Sequence, residues 1–195
     1  MGPRRSLSSG RALRGPVGVD DGLMIFRFSL TGPQTRFGLV VTAIVCLLDQ
    51  ASKVYLLFVF DVAANGPVRL GPFIDIILAR NTGISYGLFQ TQGPLGQWVL
   101  LAVKTIAVLL LWFWLAHAKD RLTALSLGLI IGGAIGNAID RLAYGWVADF
   151  VFFHISTSNW QFYWYVFNLA DVAIVAGVVG LLYESFAVGR AAKAP

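Results

Sequence analysis

Residues 122–141 read LTALSLGLIIGGAIGNAIDR, and this stretch decides the fold. Its first eighteen residues carry no ionisable side chain, close to the roughly 20 that an α-helix needs to cross about 30 Å of hydrocarbon. Gly132 and Gly136 stand four apart, a small-residue pair that lets a second helix approach closely. The run closes with Asn137, Asp140 and Arg141 at i, i+3 and i+4, on one helical face. The pattern is a membrane helix with its polar groups gathered at one end.

Working outward, the link Ala118-Lys119-Asp120-Arg121 permits only an antiparallel hairpin with the apolar run at about residues 98–117. A further run covers about residues 37–60, interrupted by Asp49-Gln50-Ala51-Ser52-Lys53, and another about residues 167–186, opened by Asn168 and Asp171. The expected fold class is therefore membrane all-α: a four-transmembrane-helix bundle with spans at about 37–60, 98–117, 122–139 and 167–186. Residues 61–97 and 140–166 lie between spans as outer loops. In the first, Asn65-Gly66-Pro67 and Gly71-Pro72 are turn signals around β-like runs such as Phe73 to Leu78, which predicts a small β-rich extracytoplasmic subdomain. The second is dense in aromatics from Trp146 to Tyr165, the composition of an interfacial belt.

Composition agrees. Of 195 residues 57% are hydrophobic and 13% charged, far from the roughly 25% charged of soluble domains, and the mean hydropathy is +0.71. The net charge of +5 would suit nucleic acid, but its placement decides otherwise. Ten of the fifteen basic residues lie before the first run (Arg4, Arg5, Arg11, Arg14, Arg27, Arg36), in the hairpin link (Lys119, Arg121) or at the end (Arg190, Lys193). Basic flanks are retained in the cytoplasm, so both termini are expected inside. No basic face interleaved with aromatics offers itself to a nucleic acid. Residues 1–36 read as a disordered cytoplasmic extension, with Met24 a second possible start, and 188–195 as a cytoplasmic tail. The one cysteine, Cys46, excludes a disulfide framework and any multi-cysteine metal site. Neither a cofactor nor a metal is expected.

With that orientation, Asp49, Lys53, Asn81, Asn137, Asp140, Arg141, Asp149, Asn168 and Asp171 fall at one depth, near the outer face. Ionisable residues inside a membrane are expensive and mark function by default. The bland alternative is a set of interhelical pairs, notably Asp49 with Lys53 and Asp140 with Arg141. Asp149 and Asp171 have no cation adjacent in sequence. Brought together they would share a proton, one acting as general base on water and the other polarising a carbonyl, which is peptide hydrolysis without metal or nucleophile. Asn81 and Asn168 would orient water or substrate. A zinc peptidase has no H-E-x-x-H here, and His117 and His154 fall on opposite sides. Gly83-Ile84-Ser85-Tyr86-Gly87 matches G-x-S-x-G but lacks the strand–elbow–helix setting that gives the motif meaning. Lys104 reads as a snorkelling or paired residue. A transporter would place its polar groups at the midplane of repeated halves. A purely structural subunit would carry a costly excess of acids.

Over about residues 37–187 the chain resembles the lipoprotein signal peptidase, or signal peptidase II, family. Asp49-Gln50-Ala51-Ser52-Lys53 is similar to its first box, and Asn81-Thr82-Gly83-Ile84-Ser85-Tyr86 to its second. Gly132 to Arg141 is similar to the third, Val147-Ala148-Asp149-Phe150 to the fourth, and Phe167-Asn168-Leu169-Ala170-Asp171 to the fifth. Tyr86 stands where the family usually has phenylalanine or tryptophan, and the N-terminal lead is longer than usual. The resemblance implies a bacterial inner-membrane aspartyl peptidase with Asp149 and Asp171 as catalytic pair. It implies Asp49, Lys53, Asn81, Asn137, Asp140 and Arg141 as the family's other polar positions. The implied substrate is a diacylglyceryl-modified prolipoprotein, cut on the N-terminal side of its cysteine. Membrane lipids are the other expected partners, and a monomer is the expected state.

Overall fold

The computed structural model describes residues 30–83 and 94–191. Five α-helices and four strands are present among them: α1 Thr35–Val54, α2 Val62–Asn65, β1 Val68–Arg69, β2 Ile74–Asn81, α3 Pro94–His117, α4 Arg121–Tyr144, β3 Val147–Ser156, β4 Gln161–Tyr163 and α5 Leu169–Ala191. The lead expected over residues 1–36 lies outside the described residues up to residue 29, and the chain is helical from Thr35.

Helix α4 is central, with α1 and α5 packed along it and α3 on a further flank. Its glycines explain why. Side-chain atoms added at Gly128 or Gly132 would meet the α1 backbone at Gly38 and Thr42, and one at Gly133 would meet the carbonyl of Ala170 on α5. Close approach without lipid between the helices yields dispersion contacts that branched residues would forbid. Asp120 caps the helix by accepting from the Thr123 amide at 2.8 Å. Gly145, at φ 79°, ends it in the left-handed conformation that glycine adopts freely.

One helix runs beyond its expected span. Helix α4 continues past residue 139 to Tyr144, because Asp140 and Arg141 find protein partners and need not leave the helix to reach water. The segment Asp49 to Lys53, polar within the apolar run, lies inside α1, and Asp49 and Lys53 pair one turn apart as their i, i+4 spacing implies. Asp49 and Lys53 are buried against the bundle while Leu47, Leu48, Val54 and Tyr55 on other faces are exposed. The α1 helix then widens into a π-helical turn at Tyr55–Val59, with Phe60 N–H donating to the Tyr55 carbonyl five residues back at 2.8 Å.

A four-stranded antiparallel sheet of order β1-β2-β3-β4 caps one end of the bundle. Half of it comes from residues 140–166, expected as an outer loop bearing an aromatic belt. Phe150, Phe152 and Phe153 lie in β3 and Phe162 and Tyr163 in β4, strand positions that aromatic β-propensity favours, while Trp146, Trp160, Trp164 and Tyr165 flank the strands. Ala148 and Phe150 on one face of β3 pack with Val62, Leu56, Leu57, Phe60, Ile76 and Leu78. Asp149 points to the other face. Three helices, Thr35–Val59, Arg121–Tyr144 and Leu169–Ala187, are long and apolar enough to cross a membrane, and α3 contributes the shorter apolar stretch Leu101–His117. Exposed Val, Leu, Ile and Phe along α1, α3 and α5 would be an aggregation surface in water.

Candidate active site

Helix α5 opens with a reciprocal cap. The Asp171 amide donates to Asn168 Oδ1 at 3.0 Å, and the Asn168 amide donates to Asp171 Oδ2 at 3.2 Å. This is a capping box with aspartate in the third position, so local sequence aims the Asp171 carboxylate at the helix mouth. An isolated bridge between Val151 and Phe167 ties that mouth to β3. Asn168 thereby comes beside Asp149, to whose Oδ1 its side-chain amide donates at 2.6 Å. On the other side Asn81, diagonal to Asp149 across β2 and β3, donates to Oδ2 at 3.1 Å. From α4, Asn137 Nδ2 donates to Asp171 Oδ1 at 2.9 Å.

Each of the four carboxylate oxygens thus receives one N–H, and Asn168 serves both acids. Asp149 is 2% exposed and Asp171 half-buried. Burial pushes the Asp149 carboxyl up to about 6, the charge on Asp171 adding to the effect and the amides of Asn81 and Asn168 opposing it. Asp171 also lines an apolar cavity of about 350 Å³ with Trp164, Tyr165, Phe167, Val172, Val175 and Ala176.

Beneath the pair sits a buried ionic knot. Lys53 Nζ donates to Asp49 Oδ2 at 2.8 Å, Asp140 Oδ2 at 2.8 Å and Asn137 Oδ1 at 3.0 Å, matching its three hydrogens to three acceptors. Asp49 Oδ1 accepts the Ala170 amide in the first turn of α5 at 3.0 Å, where the helix dipole favours an anion. Asp140 Oδ2 accepts the Ala148 amide at 3.0 Å, joining α4 to β3. The knot therefore holds both elements that carry the carboxylate pair.

All nine residues singled out from the sequence join one network. The expected pairing of Asp140 with Arg141 is corrected: neighbours in a helix point about 100° apart, so Asp140 turns to Lys53. Arg141 Nη2 instead donates to the Gly83 carbonyl at 2.8 Å, while Nη1 is buried without a hydrogen-bond partner among the described residues. Gln50 was not singled out, yet its amide donates to the Gly136 carbonyl at 3.0 Å and Asp140 Oδ1 at 2.9 Å. Its only signal was its place in the polar break of the first apolar run. Ser85 and Tyr86 lie outside the described residues. His154 bonds Asp75 in the sheet and His117 the Phe113 carbonyl in α3, far apart along the fold. Among the described residues no group of three or more histidines, cysteines or acids could hold a metal ion.

Comparison with known proteins agrees with this geometry. A family profile for signal peptidase (SPase) II matches residues 41–187. A lipoprotein signal peptidase of Nitrobacter hamburgensis is 59% identical over 160 residues, covering 82% of this chain and 98% of that protein. One of Rhodopseudomonas palustris strain TIE-1 is 53% identical over the same length, with the same coverages. A solved bacterial membrane enzyme shares the fold at TM-score 0.60 and 21% identity, covering 77% of this chain and 88% of its own. A second superposes at TM-score 0.55 and 22% identity, covering 76% and 92%. With a profile spanning all four apolar runs and relatives matched almost end to end, the chain belongs to the signal peptidase II family.

Proposed function

We propose that this chain is the membrane endopeptidase that removes signal peptides from diacylglyceryl-modified prolipoproteins, using Asp149 and Asp171 to activate water. The observation that carries the reading is a pair of carboxylates bridged by Asn168, with one amide donor on every oxygen. Such an arrangement fixes both acids while leaving their remaining lone pairs for water and substrate.

Asp149, with its carboxyl pushed up to about 6, carries the shared proton and donates it as a hydrogen bond to the scissile carbonyl. Asp171, at the positive end of α5, is ionised and takes a proton from the attacking water. Water oxygen bonds to the carbonyl carbon, giving a tetrahedral diol. Its collapse breaks the C–N bond as a carboxyl proton passes to the leaving amine, so one water is consumed and the pair returns to its starting state. Arg141 Nη1, buried and without a partner among the described residues, supplies a donor for the substrate backbone.

The pair belongs at the outer face of a four-span bundle, with the sheet outside and both termini in the cytoplasm. The apolar cavity beside Asp171 receives acyl chain attached to the substrate cysteine, so the bond cut lies on the N-terminal side of that residue. Each buried methylene contributes about 0.8 kcal/mol, and binding energy of this kind can position the scissile bond. The test is cleavage of a lipidated precursor by purified protein. Asp149→Asn and Asp171→Asn should each lose on the order of a thousandfold or more in kcat while remaining folded. Ser85→Ala and chelator treatment should leave cleavage intact. An active Asp171→Asn protein would overturn the aspartyl mechanism.

A further inference from the structure

Side chains alternate along β3, so Asp149, Val151 and Phe153 share one face of the sheet while Ala148 and Phe150 take the other. Ile74 of β2 stands opposite Phe153, and Phe162 of β4 opposite Ile155, both on the Asp149 face. With Val151, Trp164 and Phe167 these side chains enclose a groove of about 400 Å³. None of its lining residues among those described is charged. Trp164 and Phe167 are also walls of the apolar cavity that Asp171 lines. Phe167 is fixed there by its backbone, which exchanges hydrogen bonds of 2.8 and 3.0 Å with Val151. The groove thus begins beside both carboxylates and runs away from them along β3.

Its length and direction select an occupant. From Asp149 to Phe153 the strand advances about 13 Å, which an extended peptide covers with about four residues. The apolar core of a signal peptide lies on the N-terminal side of the scissile bond and stays with the helices in the bilayer. The acyl chain of the cysteine takes the cavity on the α5 side of Trp164 and Phe167. Only the polypeptide beyond the cysteine leaves toward the sheet. An apolar side chain there is withdrawn from water, whereas a carboxylate would lose its hydration with no cation to meet it.

We propose that the groove of Ile74, Val151, Phe153 and Phe162 is a subsite for the polypeptide following the lipidated cysteine, and that it selects an apolar side chain within the first four residues of that segment. This rests on the reading of Asp149 and Asp171 as the catalytic pair, with the sheet outside the membrane.

The test uses lipidated precursors that differ only in carrying leucine or aspartate at each of the first four positions after the cysteine. Their kcat/KM values are measured on the full chain in one membrane mimic. Leucine should be preferred by about tenfold or more at one of these positions. Phe162→Arg and Phe153→Arg each place a cation in the groove, and the preference should shrink to nothing or invert. Equal values for leucine and aspartate at all four positions in the wild-type protein would overturn the proposal. So would an unchanged preference in whichever arginine variant folds, as expected if this face meets lipid or a second copy of the chain. A variant effect that follows the acyl length of the precursor, and not the residue after the cysteine, would give the groove to an acyl chain and overturn it too. Asp149→Asn and Asp171→Asn are assayed alongside. Activity in either means that the catalytic reading has failed; if both are inactive and the wild-type protein shows no leucine preference, only the subsite has.

Discussion

Replacing Lys53 by methionine tests the ionic knot. The ammonium is 2% exposed and makes contacts of 2.8 Å to both Asp49 and Asp140, whose side chains are fully buried. Methionine fills similar volume but leaves two buried carboxylates without their shared cation and Asn137 Oδ1 without one of its donors. Breaking a buried pair by removing one partner costs about 3–5 kcal/mol. For a chain of this size 1 kcal/mol moves Tm by roughly 2–4 °C, so the loss should be about 10 °C or more. Thermal unfolding in one detergent measures it. Adding Asp140→Asn removes one stranded charge, and the double variant should be more stable than the sum of the single losses implies, by about 1–3 kcal/mol. A Lys53→Met protein melting within 2 °C of wild type, or strictly additive losses, would refute the ionic account and leave the knot as ordinary packing.

Four further outcomes are expected. Asp149, ordinarily near 3.8 and here raised to about 6, binds a proton in the folded state that the unfolded chain has released, so its contribution to stability is full below about pH 4 and fades as pH rises through 6. That slope, followed by Tm against pH, should flatten in Asp149→Asn. Cleavage of lipidated precursor should fall as pH rises through about 6, where Asp149 loses the proton it donates to the scissile carbonyl. Gly136→Val should unfold the protein or separate α1 from α4, because an added side chain there collides with the Asp49 carboxylate; a folded, active variant in the cleavage and melting assays would contradict this close approach. An unlipidated precursor should show a much lower kcat/KM than the same precursor carrying diacylglycerol, and equal values would remove the acyl-chain role of the cavity beside Asp171.

The apolar runs and the gathering of the polar residues into one cluster were legible in the chain itself. Length of an apolar run and placement of basic residues act along one dimension, the membrane normal, and need no knowledge of neighbours. The opening of the last run by Asn168 and Asp171 was equally local, though the reciprocal cap they form emerged only in the structure. Tertiary structure alone decided the rest. Which cation meets Asp140 depends on the rotation of α1 about its axis, and that rotation follows from glycine contacts along α4. The strands of residues 147–163 needed β2 as partner, since a sheet's hydrogen bonds join segments distant in sequence. Lys104 reads in the chain as a snorkelling or paired residue, and only the packing of α3 sets its neighbours Val108, Leu111 and Leu115 against α4. Ion pairs and hydrogen bonds act over about 3 Å with strict direction, so rotation and register, which no local pattern encodes, determine who meets whom.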